Sequence, residues 1–146
     1  MEKTALFAGT FDPYTRGHHA LVERALALFD TVVVAVGRNL EKKCMLSVEE
    51  RVSAIEKLYA GNGRVKVAVY DILTMDFAQS VGATALLRGV RSVKDFEYER
   101  DIADINLRLG GIDTVLLVSE PEYAAISSSV VRELMKYGKD VSELLP

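Results

Sequence analysis

Gly9-Thr10-Phe11-Asp12-Pro13-Tyr14-Thr15-Arg16-Gly17-His18 sets a threonine, a histidine and two glycines between an apolar run, Ala5-Leu6-Phe7-Ala8, and a helix-like segment that begins at His19. Glycine lets a phosphate approach the backbone closely. A helix N-terminus offers unpaired N–H groups and a positive dipole end. A histidine at that point reaches the same phosphate. Strand, glycine turn and histidine together point to the phosphates of a nucleotide. The ordinary alternative for His18 is a helix-capping or packing role; Gly17 and the Gly9-Thr10 turn shift the reading toward phosphate contact. His19 would project in another direction and reads as a surface residue. Asp12-Pro13 reads as a turn with no catalytic role.

Arg88-Gly89-Val90-Arg91 follows a second apolar run, Ala85-Leu86-Leu87. A planar guanidinium grips phosphate oxygens bidentately, and a glycine between two arginines permits a tight backbone. Arg88 is expected to leave the sheet at its ligand end, with Arg91 beside it. Lys42-Lys43 lies on another loop of that end, and the pair is either solvated surface or reaches a phosphate. Ile126-Ser127-Ser128-Ser129-Val130-Val131-Arg132 opens the last helix. One serine there serves as N-cap; a run of three exceeds what a cap needs. The acids and bases of Asp95–Arg108 mostly read as a solvated helix face, as with the i,i+4 pair Asp104–Arg108. The chain lacks Gly-x-Ser-x-Gly, the P-loop pattern, Gly-x-Gly-x-x-Gly after the first strand, and any Cys/His cluster suited to a structural metal.

The elements that must position these residues alternate. Strands are expected at Thr4–Ala8, Thr31–Val36, Val65–Tyr70, Thr84–Leu87 and Thr114–Val118. Helices are expected at Gly17–Phe29, from Ser47-Val48-Glu49-Glu50 onward, at Met75–Val81, Asp95–Leu109 and Ser128–Tyr137, and the tail Val141–Leu145 as one further turn. Leu21, Val22, Ala25, Leu26 and Phe29 follow one buried helical face. Ser47 and Glu50 form a capping box ahead of Val48, Val52, Ile55 and Leu58. Thr74 is a candidate N-cap, and Gly110-Gly111 a C-cap. Tyr98, Ile102, Ile105 and Leu109 read as the apolar face of the long helix. The strands are short and continuously apolar, as in a parallel sheet covered on both faces. The predicted fold is a single α/β domain over residues 1–146, Rossmann-like and doubly wound, with a five-stranded parallel sheet in the order 3-2-1-4-5. That order sets the first and fourth strands side by side, so Gly9–His18 and Arg88–Arg91 converge at the switch point.

At 146 residues and net charge −3, the chain fits one domain with a real core. A mixed, slightly acidic surface disfavours sequence-independent nucleic-acid binding. No apolar run approaches a membrane span. Cys44, the only cysteine, excludes an intrachain disulfide. Met1-Glu2-Lys3 leads directly into a strand-like run, so no targeting segment is expected and the reading is cytoplasmic.

Gly9-Thr10-Phe11-Asp12-Pro13, Thr15-x-Gly17-His18 and Ile126-Ser127-Ser128-Ser129-x-x-Arg132 resemble the nucleotidyltransferase superfamily with the (His/Thr)-x-Gly-His signature. Leu87-Arg88-Gly89-Val90-Arg91 with Asp95-Phe96-Glu97-Tyr98-Glu99 looks like its phosphopantetheine adenylyltransferase family, and Lys42-Lys43 and Glu49-Glu50-Arg51 fall at matching places. The resemblance covers essentially the whole chain. It implies adenylyl transfer from ATP to 4′-phosphopantetheine, giving dephospho-coenzyme A and pyrophosphate, by in-line attack without a covalent enzyme intermediate. His18, Thr10, Lys42 and Arg88 would be catalytic. ATP would meet Thr10, Phe11, His18, Gly89, Val90, Arg91, Glu99, and the run Tyr123, Ala124, Ala125, Ile126, Ser127, Ser128 and Ser129. The acceptor would meet Thr10, Lys42, Leu73, Thr74 and Arg88. Mg2+ would accompany the triphosphate through phosphate oxygens and water, with no protein ligand assigned. A homohexamer and coenzyme A as feedback ligand are also implied. Tyr123 stands where a tryptophan can occur, Asp71 lies one place before the usual acid, Cys44 has no family role, and the chain stops at Pro146, short of the extra C-terminal helix of many members. Rival readings are transfer to another phosphorylated acceptor and a non-catalytic nucleotide or coenzyme A sensor.

Overall fold

Alternate residues of the central strands feed two separate cores, which is what a sheet covered on both faces demands. Ala5, Phe7, Val32, Val34, Val36, Ala85 and Leu87 face one side; Leu6, Ala8, Val33, Ala35 and Leu86 face the other. The computed structural model describes residues 1–39 and 41–146. Its strands are β1 (Thr4–Gly9), β2 (Thr31–Gly37), β3 (Val65–Tyr70), β4 (Ala85–Val90) and β5 (Asp113–Val118). Its helices are α1 (Arg16–Ala25), α2 (Val48–Leu58), α3 (Thr74–Ser80), α4 (Val93–Gly110) and α5 (Ser128–Lys136), with a short 3-10 turn at Pro121–Tyr123. The sheet is five-stranded in the order β3-β2-β1-β4-β5, and every pairing is parallel. β1 and β4 are therefore neighbours, and the chain leaves their C-terminal ends at the switch point.

The local signals act largely as read. Ser47 and Glu50 form a reciprocal capping box on α2. Gly111, at φ 69°, takes the left-handed position that closes α4.

Five expectations need correction. α1 stops at Ala25, not Phe29. The chain turns there to enter β2, and the Arg64 guanidinium collects the freed carbonyls of Leu26, Phe29 and Asp30. Thr74 is the first residue of α3 rather than its cap; its hydroxyl pairs instead with the Tyr70 hydroxyl at 3.2 Å. β4 runs on through Arg88 and Gly89 to Val90 because β5 continues alongside, Arg88 opposite Leu116 and Val90 opposite Val118. Arg88 thus belongs to the strand and not to a loop. α4 begins at Val93, with the Ser92 hydroxyl accepting from the Asp95 N–H. Lastly, Tyr98, Ile105 and Leu109 do not face the core: they are 65 %, 54 % and 71 % exposed. The one buried residue of α4 is Glu99.

Candidate active site at the sheet switch point

The β1–α1 connection is pinned from several sides. Phe11 sits at φ 54°, a left-handed conformation that an aromatic residue adopts only under constraint. Its ring is buried in the core, and a Cβ on Gly9 would come within 3.0 Å of that ring, so glycine there is a packing requirement. On one side buried Arg51 donates to the carbonyls of Thr10 (2.7 Å) and Gly37 (3.1 Å). On the other, Arg132 donates to the Asp12 carbonyl and the Ser128 hydroxyl to that of Pro13, both at 2.8 Å. The buried Asp12 carboxylate accepts from the Met45 and Leu46 N–H groups at 2.8 and 2.9 Å, tying this loop to the one that carries Lys42. Asp12 is structural, and more than a turn residue.

His18 fills the capping role considered for it. It is the third residue of α1, and its Nδ1 accepts from the Thr15 backbone N–H at 2.9 Å, while the Thr15 hydroxyl accepts from the His18 N–H. That capping box assigns the proton of the neutral ring to Nε2. Burial first, then the cations Arg88 and Arg91, push its pKa down to about 4. At neutral pH His18 is an uncharged donor beside two arginines.

Arg88 and Glu99 pair fork to fork across the end of β4, and the third guanidinium nitrogen donates to the Ala8 carbonyl at 2.9 Å. Gly89 permits close packing: a Cβ there would lie 3.3 Å from Leu21. Arg91 pairs with Asp95 at 2.9 Å. Lys42 Nζ donates to the Thr10 hydroxyl at 3.0 Å. The three serines have separate partners. Ser127 caps α5 by accepting from the Val130 N–H, Ser128 holds Pro13, and Ser129 accepts from Arg132.

Three adjoining cavities result. One of about 260 Å³ brings together His18, Arg88, Gly89, Arg91, Glu99, Tyr123 and Ile126–Ser128. A second, about 610 Å³, holds Thr10, Lys42, Leu73 and Thr74. A third, about 230 Å³ and mostly apolar, shares Leu73 and Thr74 with the second and Arg88 and Glu99 with the first. Phe11 and Val90 are buried behind these walls, and Ala124, Ala125 and Ser129 line none of the three. The sequence reading missed Ile102 and Asn106, which line the apolar cavity with Glu99. Positions 99, 102 and 106 share helical spacing, but their mixed polarity hides the stripe. It also missed His19, whose Nδ1 lies 3.0 Å from the Tyr59 hydroxyl and which is not a free surface residue.

A parallel doubly wound sheet with histidine and arginines at the β1/β4 switch point defines a nucleotidyltransferase domain, and the cytidylyltransferase-like family model matches residues 6–134. Similar proteins include the phosphopantetheine adenylyltransferases of Phocaeicola vulgatus and Bacteroides thetaiotaomicron, 54 % and 51 % identical, each match covering 99 % of this chain and 95 % of the relative. That of Oenococcus oeni is 47 % identical over 97 % of this chain and 90 % of its own. The chain belongs to the phosphopantetheine adenylyltransferase family. The fold is also that of a bifunctional NMN adenylyltransferase/ADP ribose pyrophosphatase from Francisella tularensis, with TM-score 0.71 at 14 % identity over 99 % of this chain and 44 % of that one. A protein described as a nicotinate-nucleotide adenylyltransferase from Vibrio parahaemolyticus gives 0.66 at 19 %, over 99 % and 94 %.

Proposed function

We propose that the chain transfers the adenylyl group of ATP to 4′-phosphopantetheine, forming dephospho-coenzyme A and releasing pyrophosphate. The observation that carries this reading is the junction of cavities at Arg88: a polar pocket with His18 and Arg91 on one side, an apolar one with Leu73 and Ile102 on the other. The polar pocket suits a triphosphate, and the apolar one suits the arm of the acceptor. Lys42, Thr10 and Arg88 hold the acceptor phosphate where the cavities meet. One of its oxygens attacks the α-phosphorus in line, the new P–O bond forms as the bond to pyrophosphate breaks, and no enzyme group becomes covalent. Neutral His18 donates from Nε2 to an oxygen whose charge grows in the transition state, and Arg91 holds the phosphates. The N-terminus of α5, where Ser128 borders the polar pocket and Ser129 follows it, takes the β- and γ-phosphates. Glu99 and the Tyr123–Ser129 loop border the adenosine.

Magnesium enters as part of the Mg-ATP substrate, held by phosphate oxygens and water. Among the described residues no group of three or more His, Cys, Asp or Glu side chains is placed to hold a metal. A homohexamer is part of the proposal; the exposed Tyr98, Ile105 and Leu109 of α4 form an apolar face that a neighbouring copy would cover. Coenzyme A carries both substrate halves and would compete by spanning the same cavities. No described helix is long and apolar enough to cross a membrane; the cytoplasm is the proposed compartment.

Pyrophosphate release from Mg-ATP tests the acceptor, with 4′-phosphopantetheine beside nicotinamide mononucleotide and glycerol phosphate. Release with phosphopantetheine alone is expected. Release with a rival would discard the assignment of the apolar cavity, and silence with all three despite coenzyme A binding would favour a sensor.

A further inference from the structure

A row of polar groups runs away from the phosphate pocket and takes no part in the transfer described above. The Tyr14 hydroxyl lies 2.8 Å from the Tyr59 hydroxyl, which lies 3.0 Å from His19 Nδ1. Tyr14 and Tyr59 are 5 % and 6 % exposed. His19 reaches the surface, its Nε2 4.0 Å from the Glu23 carboxylate. Burial holds both phenols above the usual tyrosine range, so each brings one proton and no charge. One proton per hydroxyl sets the direction of the row. With Tyr14 donating to Tyr59 and Tyr59 donating to His19 Nδ1, every hydroxyl proton of the row has an acceptor. The reverse direction would leave the Tyr14 proton without an acceptor in the core.

The inner end of the row lies on His18. The Tyr14 ring stacks on the imidazole at 5.2 Å between centroids and 27° between planes. Phe11 meets it edge-on at 5.0 Å, and Phe7 approaches at 5.9 Å. Of these three aromatic neighbours only Tyr14 carries a polar anchor that fixes its own place. The Thr15 N–H and hydroxyl both lie on Nδ1, at 2.9 and 3.2 Å, and contacts to one atom leave the ring free to tilt about it. A stacked, anchored ring removes that freedom.

We propose that Tyr14, tied through Tyr59 to His19, is a positioning residue that holds the plane of His18 so that Nε2 faces the phosphates. The proposal rests on the reading of His18 as a phosphate contact. None of the three residues touches substrate; they act through His18.

The test is the double variant Tyr14→Phe/Tyr59→Phe. It keeps both rings and removes both hydroxyls together, which leaves no orphaned partner between them and is expected to shift Tm by only about 3 °C. The chain has 2 histidines, so a His19→Gln variant assigns the imidazole resonances. In the double variant the His18 Cε1–H resonance is expected to move or broaden. Its kcat should fall about tenfold, with KM for ATP within about twofold of the parent. An unmoved His18 resonance, or an unchanged kcat, overturns the proposal. If the double variant does not fold, His19→Leu removes the acceptor at the surface end with both tyrosines in place and carries the same readouts. A crippled His18→Ala beside a fully active double variant would overturn this proposal alone. Normal turnover by His18→Ala would overturn the reading of His18 and this proposal with it.

Discussion

Arg88 and Glu99 meet fork to fork, with Nε 2.9 Å from one carboxylate oxygen and Nη2 2.8 Å from the other. The Glu99 side chain is 8 % exposed and that of Arg88 40 %. Glu99 thus enters the helix–sheet interface only because a cation from β4 receives it. The same pairing sets the guanidinium plane, so Arg88 can present its remaining N–H groups to a phosphate without searching rotamers.

Glu99→Gln keeps the shape of that side chain and removes its charge. The cost is discounted for the solvent that reaches Arg88, which leaves about 1–2 kcal/mol of stability lost in urea denaturation. The KM for the phosphorylated acceptor should rise, since Arg88 loses its fixed plane. A denaturation midpoint and KM equal to those of the parent would show that the pair does neither.

His18→Ala removes the neutral donor and one side of the α1 capping box, while the Thr15 hydroxyl still accepts from the backbone N–H of residue 18. The fold and most ATP affinity are expected to survive, the latter checked by calorimetry. Turnover should drop by about a thousandfold, the magnitude of a lost transition-state donor. Near-normal turnover would remove His18 from the mechanism.

The pH dependence follows from the lowered pKa of His18. In the unfolded chain this imidazole takes up a proton near its ordinary value of 6.5, but in the folded chain only near 4, because of burial and the cations Arg88 and Arg91. Between these values the unfolded state binds more protons, so stability falls as pH is lowered from about 6.5 toward 4 and is fully present above that window. An NMR titration of the folded protein should place the His18 midpoint near 4, and turnover at pH 5.5 should retain the neutral donor. A midpoint near 6.5 would contradict the burial and charge argument together.

Which parts of this molecule can be read before folding depends on whether a signal is local. Ser47 with Glu50, and Gly111, act within a few residues of themselves, so each is legible. The apolar runs of β1, β2 and β4 announce strands covered on both faces, whereas the order with β1 beside β4 is the usual one for a doubly wound sheet, taken from the fold class and not from particular residues. The length of β4 is not legible, because Arg88 and Gly89 stay in the strand only where β5 supplies the pairing. Tyr98, Ile105 and Leu109 keep helical spacing, yet periodicity does not say what packs on a face, and this single chain leaves them open. Glu99 looks like surface until its partner, eleven residues earlier, is known to lie beneath it. At the site, Arg88–Arg91 and His18 stand out by type, but the anchors Arg51, Asp12 and Tyr59 act across the fold.

Asp12 gives the sharpest check on that last class. Its buried carboxylate accepts from two successive N–H groups, Met45 and Leu46, at 2.8 and 2.9 Å, and its own carbonyl accepts from Arg132. It therefore couples the Thr10 loop, the Lys42 loop and α5 at one residue. Asp12→Ala removes two charge-assisted hydrogen bonds; because Met45 is partly open to water, the expected loss is about 2 kcal/mol rather than the sum for two fully buried bonds. The kinetic effect should exceed what this loss of stability alone implies, since Lys42 must stay within reach of Thr10 when the acceptor phosphate arrives. Turnover at saturating substrate is expected to fall about tenfold at a temperature where the variant is fully folded. Hydrogen exchange should locate the loosening at the Met45 and Leu46 amides. Asp12→Asn, with one acceptor oxygen in place, should recover part of both losses. Protection at those amides unchanged in Asp12→Ala would mean that the loops are held together elsewhere.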